Sequence, residues 1–279
     1  NDGETDRELS VGSEHITLSG VRLGPLAYAK RPDPRLYFDR EDGQQVGMTF
    51  FPEQKVVAFS RRTTEGTFES RAVIPGATGK PDQLWVIVKR TINGATKRYV
   101  ELVEGAHEGL EDRDWMSLQT DSAIVLTGLT STTLTVAHLE GKTVDVVKNG
   151  SNLGEHVVTG GVVTLTEDAV VGDVFEVGLP YDSTVTTMRP AVDGMVIEGV
   201  PRRWTSLFVR VKDTIGGTIN REAMAYPPSA LDEKDLYTGD IKVSAQGIDT
   251  DGRITVQQTD PYPMTILAVF GTLHLGDHD

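Results

Sequence analysis

The sequence predicts an all-β protein, and three observations carry that prediction. Residue-Gly pairs stand between short apolar runs at Asp42-Gly43, Glu65-Gly66, Asn93-Gly94, Asn149-Gly150, Gly160-Gly161 and Asp251-Gly252. Hairpin turns need positive φ at such positions, which Gly reaches without steric cost and Asn or Asp at little cost. The flanking residues alternate, or run apolar, for about five to eight positions, the length and period of a strand. No long helical stripe of apolar residues interrupts them.

Taken in order, residues 1–19 are polar and acidic, with Asp2, Glu4, Asp6, Glu8 and Glu14 against a single Arg7. This segment is expected to be the start of a fragment of a longer protein, since residue 1 is Asn. Residues 24–35 are bounded by prolines and read as a connector. A propeller-like antiparallel meander follows, over 20–109. Its first sheet is expected to hold four strands: Leu36–Phe38, Val46–Phe51, Val56–Arg61 and Thr67–Ile74. The run Leu84–Val88 is apolar throughout and predicts a strand buried on both faces, with Trp85 in the core. It turns at Asn93-Gly94 into Arg98–Val103.

An acidic, Gly-containing stretch from Glu104 to Asp114 marks a boundary, and the composition beyond it shifts to Thr, Val and Gly. Residues 110–190 are expected to form an inserted small β-barrel or sandwich. Its strands are Thr132–Leu139, Thr143–Val147, His156–Val158, Val162–Thr166 and Val174–Leu179. In the last of these, Phe175, Val177 and Leu179 should point inward and Glu176 outward. Residues 191–279 are expected to return to the first sheet region through Leu207–Lys212, Ile254–Gln257 and Met264–Phe270. Residues 220–239 form a Pro-containing excursion between them. Trp204 reads as core and Trp115 as an exposed contact.

The chain has 279 residues, 38% hydrophobic and 24% charged, and a net charge of −14. That charge argues against a surface that grips nucleic acid, which needs clustered Lys and Arg. It suits a wall past which a polyanion slides. There is no cysteine, which excludes disulfides, thiolate metal sites and cysteine nucleophiles and fits folding in a reducing compartment. The apolar stretch Pro261–Leu273 is too short and too punctuated to span a bilayer.

The motifs that carry chemistry fail on spacing. Gly76-Ala77-Thr78-Gly79-Lys80 has two residues between its glycines, and Pro81 stands where a phosphate loop needs Ser or Thr. Asp249-Thr250-Asp251-Gly252 opens like a calcium loop but lacks the closing Glu, so a hairpin turn is the better reading. The histidines at 15, 107, 138, 156, 274 and 278 form no zinc-binding pair. Among 41 acidic residues no pair stands out for glycoside hydrolysis, and no Gly-x-Ser-x-Gly elbow is present. No catalytic, cofactor-binding or metal-ligating residue is therefore assigned, and no cofactor is expected.

Three stretches resemble the tail nozzle (tail tubular B) proteins of short-tailed bacteriophages. The first, Leu36 to Glu104, carries PRLYFDREDG, MTFFPEQKVVAFSRRTTEGTFES and DQLWVIVKRTINGATKRYVELVE. The second runs from HLEGKTVDVVKNG to VFEVGLPYDSTVTTM, and its Gly178-Leu179-Pro180-Tyr181 is the most distinctive string in the chain. The third is LYTGDIKVSAQG with TDPYPMTILAVFG. The resemblance covers most of 20–276, in order, and departs at the N-terminus, where the family has more β structure. It implies a non-enzymatic structural subunit in the virion tail, assembled in the host bacterial cytoplasm. Such a subunit forms a homo-oligomeric ring, a hexamer, that docks portal, adaptor and tail fibre or spike proteins. Viral DNA passes through the ring without specific binding. Two alternatives stand beside it: a host-surface or glycan-binding tail protein, and a tail-associated glycosidase.

Overall fold

The computed structural model describes residues 16, 23–103, 119–191, 199–226, 236–244 and 247–276. Trp115, His15, His107 and His278 lie outside them, as do residues 1–15 and the acidic stretch 104–118. The protein is all-β, built from separate antiparallel sheets, and none of the described sheets closes into a barrel. The chain divides into two compact units. One is Asn1–Glu108 with Ala137–Lys142 and Thr159–Gly161. The other is Gly109–Val136 with Thr143–Val158 and Val162–Asp279. Residues 110–190 and 191–279 are not separated by this division.

In the first unit, β1 (Leu23–Ala29), β2 (Arg35–Arg40), β3 (Gln45–Phe51) and β4 (Val56–Arg62) form an up-and-down meander. Phe38, Val46 and Met48 are its buried core, with Ile16, Leu36, Phe50 and Phe59 packed on them. Strand β1 corrects the reading of 24–35 as a connector. Pro25 is tolerated because β1 is an edge strand, and the register shifts between Leu23 and Leu26, where the proline has no N–H to give.

The expected fourth strand belongs to a different sheet, β5 (Thr67–Ile74), β6 (Gln83–Ile92) and β7 (Ala95–Val103). Glu65-Gly66 makes a crossover where a hairpin was expected. A Cβ on Gly66 would sit 2.4 Å from the Lys89 carbonyl oxygen, and the Phe68 amide donates to the Gly43 carbonyl. The chain is thereby tied to both sheets at the point where it passes between them.

Strand β6 alternates, which corrects the expectation of burial on both faces. Leu84, Val86, Val88, Arg90 and Ile92 are buried, whereas Trp85 and Ile87 on the other face are half-buried. Arg90 is 1% exposed. It donates to both Glu101 oxygens at 3.1 and 2.9 Å, to Thr64 Oγ1 at 2.7 Å and to the Glu65 carbonyl at 2.9 Å. It therefore anchors the crossover from inside the sheet.

In the second unit, β8 (Asp121–Thr127), β10 (Thr143–Lys148), β11 (Ser151–Val157) and β13 (Val174–Leu179) form one sheet in the order β11-β10-β13-β8. Strands β9 (Thr133–Thr135) and β12 (Val162–Thr164) pair beside it. The expected strand Thr132–Leu139 stops at Thr135, and Ala137–Leu139 is a 3₁₀ turn.

The rest of the unit holds β14 (Ser183–Thr186), β15 (Arg202–Thr214), β16 (Thr218–Ile219), β17 (Glu222–Ala223), β18 (Tyr237–Val243), β19 (Thr255–Gln258) and β20 (Thr265–Leu275). They form the sheets β14-β19-β16-β17 and β18-β15-β20. Residues 191–279, expected to return to the first sheet, thus pair among themselves and with β14. Leu207, Val209, Val211, Ile241, Val243, Ile254 and Val256 are the buried core, and Trp204 packs on it half-buried. The β16–β17 hairpin runs into the start of the expected excursion and turns on Asn220-Arg221, both at positive φ without glycine.

Candidate functional site

The densest unusual chemistry among the described residues is a set of carboxylates on one face of the β11-β10-β13-β8 sheet. In β13, Glu176 lies opposite Val147, and its neighbour Gly178 lies opposite Asp145 of β10. Directly opposite residues share a face, so Glu176 and Asp145 stand on the same side of the sheet. Asp145 in turn faces Glu155 of β11. Glu176, expected to point to solvent, is 4% exposed, and Asp145 is buried as well. Both faces of β13 are covered, so the alternation that predicted an outward Glu176 reads chemistry correctly and burial wrongly.

The covering segment is Gln119-Thr120. The Gln119 amide donates to Glu176 Oε1 at 2.8 Å and Thr120 Oγ1 donates to the same oxygen at 2.9 Å. This approach needs Gly178, because a Cβ there would meet Thr120 Oγ1 at 2.4 Å. The Gly178-Leu179-Pro180-Tyr181 string acquires a physical reading here. Gly178 admits the covering segment, Leu179 is buried, and Pro180 ends the strand. Tyr181 completes it by donating its hydroxyl to Gln119 Oε1 at 3.1 Å.

Beside this segment is a small cleft of about 40 Å³ lined by Gln119, Tyr181, Ser183, Gln258, Asp260, Tyr262 and Met264. Tyr262 Oη accepts from the Asn152 amide at 3.0 Å, which ties the loop before β20 to β11.

Electrostatics follow from burial. Glu176 is pushed up to about 7, first by loss of solvent and further by the Asp145 charge, against the hydrogen bonds from Thr120 and Gln119. Asp145 is pushed up to about 6, again first by burial and then by the charges of Glu155 and Asp260. A buried carboxylate without a cation nearby holds its proton because the charged form loses hydration that nothing replaces.

The sequence motifs that were set aside sit in hydrogen-bonded loops, and Asp251-Gly252, expected as a hairpin turn, lies between strands of different sheets. The loop at Gly76–Lys80 is organised by Asp82, whose carboxylate accepts from the backbone amides of Lys30, Arg31 and Gly76 and is held below the ordinary range by them. Asp249 accepts from the amides of Asp251 and Gly252, and Asp251 pairs with Arg189 and Arg253. His138 packs edge-on against Tyr99. Among the described residues no three His, Cys, Asp or Glu side chains converge to hold a metal ion. Among the described residues no helix is long and apolar enough to cross a membrane. No protein-family model matches the chain, and no curated protein matches it.

Proposed function

We propose that this chain is a structural subunit of a bacteriophage tail tube or nozzle, assembling into a ring through which the genome leaves. The observation that carries the reading is the state of the sheet edges. Strands β1, β7, β11 and β20 each lie at the edge of their sheet. Each exposes a large apolar side chain: Leu26, Val100, Val157 and Leu267 respectively. Unpaired N–H and C=O groups on a sheet edge beside an apolar side chain can recruit another chain, and neighbouring subunits in a ring would cover them. The ordered resemblance of the three stretches supports the same reading, and the net charge of −14 suits a conduit that must not hold phosphate.

The glycosidase alternative would need a carboxylate that can reach a sugar. Glu176, the carboxyl with the most suitable proton affinity, is buried beneath Gln119 and Thr120 and committed to them. No specific observation favours the glycan-binding alternative.

The test is the mass of the native assembly of the full chain by analytical ultracentrifugation across concentration and ionic strength, followed by imaging. A closed ring, a hexamer, is the expected result. A monomer at every concentration overturns the proposal, and a compact trimer points to the receptor-binding alternative.

A further inference from the structure

Four Asx-Gly turns lie among the described residues: Asp42-Gly43, Asn93-Gly94, Asn149-Gly150 and Asp251-Gly252. Such dipeptides serve hairpins well, but they also carry a latent reaction. The glycine has no side chain to shield its amide nitrogen, which can attack the carbonyl carbon of the preceding side chain. Whether the reaction proceeds depends on whether the side chain and the turn are held.

Three of the four are held. Asp42 takes both arms of Arg40, at 3.1 and 2.6 Å, while the Gly43 amide donates to the Arg40 carbonyl at 2.9 Å. Asp251 is paired with Arg189 and Arg253, and the Gly252 amide donates to Asp249 at 3.2 Å. Asn149 is clamped at both ends of its carboxamide. Its Nδ2 donates to Asp173 at 2.8 Å and its Oδ1 accepts from the Val174 amide at 2.9 Å. Its own amide donates to the Val174 carbonyl, also at 2.9 Å.

Asn93-Gly94 has none of this. Both residues are exposed at the tip of the β6–β7 hairpin, between the paired Ile92 and Ala95. A Cβ built on Gly94 would meet no atom within 4 Å. Asn93 is at φ 47°, a conformation an L-residue leaves readily once the tip opens. The two Asn-Gly turns share a sequence, a turn geometry and positive φ at both residues. They differ in what surrounds the carboxamide.

We infer that Asn93 is a site of spontaneous deamidation and isoaspartate formation in the folded protein, and that Asn149 is not. The Gly94 nitrogen forms a bond to Asn93 Cγ, the Cγ–Nδ2 bond breaks, and the side-chain nitrogen leaves as ammonia carrying the displaced amide proton. Water then opens the cyclic imide at either carbonyl, leaving aspartate or isoaspartate at position 93. Water is consumed and ammonia released, with no oxidant or reductant. The product adds a negative charge to a hairpin whose returning strand carries Lys97 and Arg98. In the isoaspartate form it also inserts a methylene into a turn that has room for two residues only. The β7 edge that Val100 presents would then lose its register at that end.

The experiment is incubation of the full chain at mildly alkaline pH, with peptide mass mapping over time and isoaspartate detection. A parallel arm runs in concentrated urea. In the folded protein, Asn93 should be modified at least roughly tenfold faster than Asn149, the factor that two net hydrogen bonds supply. In urea the two should react at similar rates. Equal rates in the folded protein, or no change at Asn93, overturn the inference. So does a difference that persists in urea, which would assign it to local sequence.

Discussion

Replacing Glu176 with Gln tests the account of the buried carboxylate. Glutamine keeps the shape of the side chain, and its carbonyl oxygen accepts from the Gln119 amide and Thr120 Oγ1 as the carboxyl does. What it removes is ionisation. The carboxyl moves from an ordinary 4.5 to about 7 on folding. The native state therefore keeps a proton that the unfolded chain gives up. Where the unfolded chain binds fewer protons, stability falls as pH rises. The contribution is fully present below 4.5 and is lost as pH climbs through about 7, after which it levels off.

At about 1.4 kcal/mol per pH unit, the loss is on the order of 3 kcal/mol. Glu176→Gln should thus match the wild type near the low end of that window. By about pH 8 it should be the more stable protein, by roughly 1–3 kcal/mol. Asp145, pushed up to about 6, adds a slope of the same sign between 3.8 and 6 in both proteins and so drops out of the difference. Urea unfolding followed by tryptophan fluorescence across this range gives the comparison. If the difference between Glu176→Gln and the wild type does not change with pH, the carboxyl ionises as readily in the native state as in the unfolded chain, and the reasoning fails.

Arg90→Met should cost roughly 3–5 kcal/mol, because it leaves Glu101 and the Thr64–Glu65 crossover without their shared donor. The urea midpoint measures it, and a loss under about 1 kcal/mol would mean the crossover does not depend on that anchor. Phe175→Ala, at a fully buried position, should cost about 3–5 kcal/mol, whereas Trp85→Ala on the half-buried face of β6 should cost about 1–2 kcal/mol. Thermal melts of the two variants rank them, and a larger loss at Trp85 would place that face in the interior.

Local information in this chain reaches as far as elements and turns. Asn93-Gly94 and Asn149-Gly150 were legible as two-residue hairpins because positive φ at two adjacent positions is a demand that few residues meet. The all-β class followed from period-two patterning and the lack of a helical stripe. Pairing partners were not legible. Glu65-Gly66 has the composition of a hairpin yet carries the chain from one sheet to another, because the Lys89 carbonyl and Gly43 lie close in space and distant in sequence. Strand β1 was hidden by Pro25, which an edge position accommodates, and the Asn220-Arg221 turn was hidden by its lack of glycine.

The carboxylate face shows the same division. Glu176 alternates with Phe175 and Val177, so the sequence by itself determined which side of β13 it occupies. Only the tertiary structure decided that this side is covered, through a segment more than fifty residues upstream that Gly178 alone lets approach. Side-chain alternation is set by backbone geometry within one strand. Burial, proton affinity and the clamping of Asn149 against the freedom of Asn93 are set by whatever the rest of the chain brings to that strand.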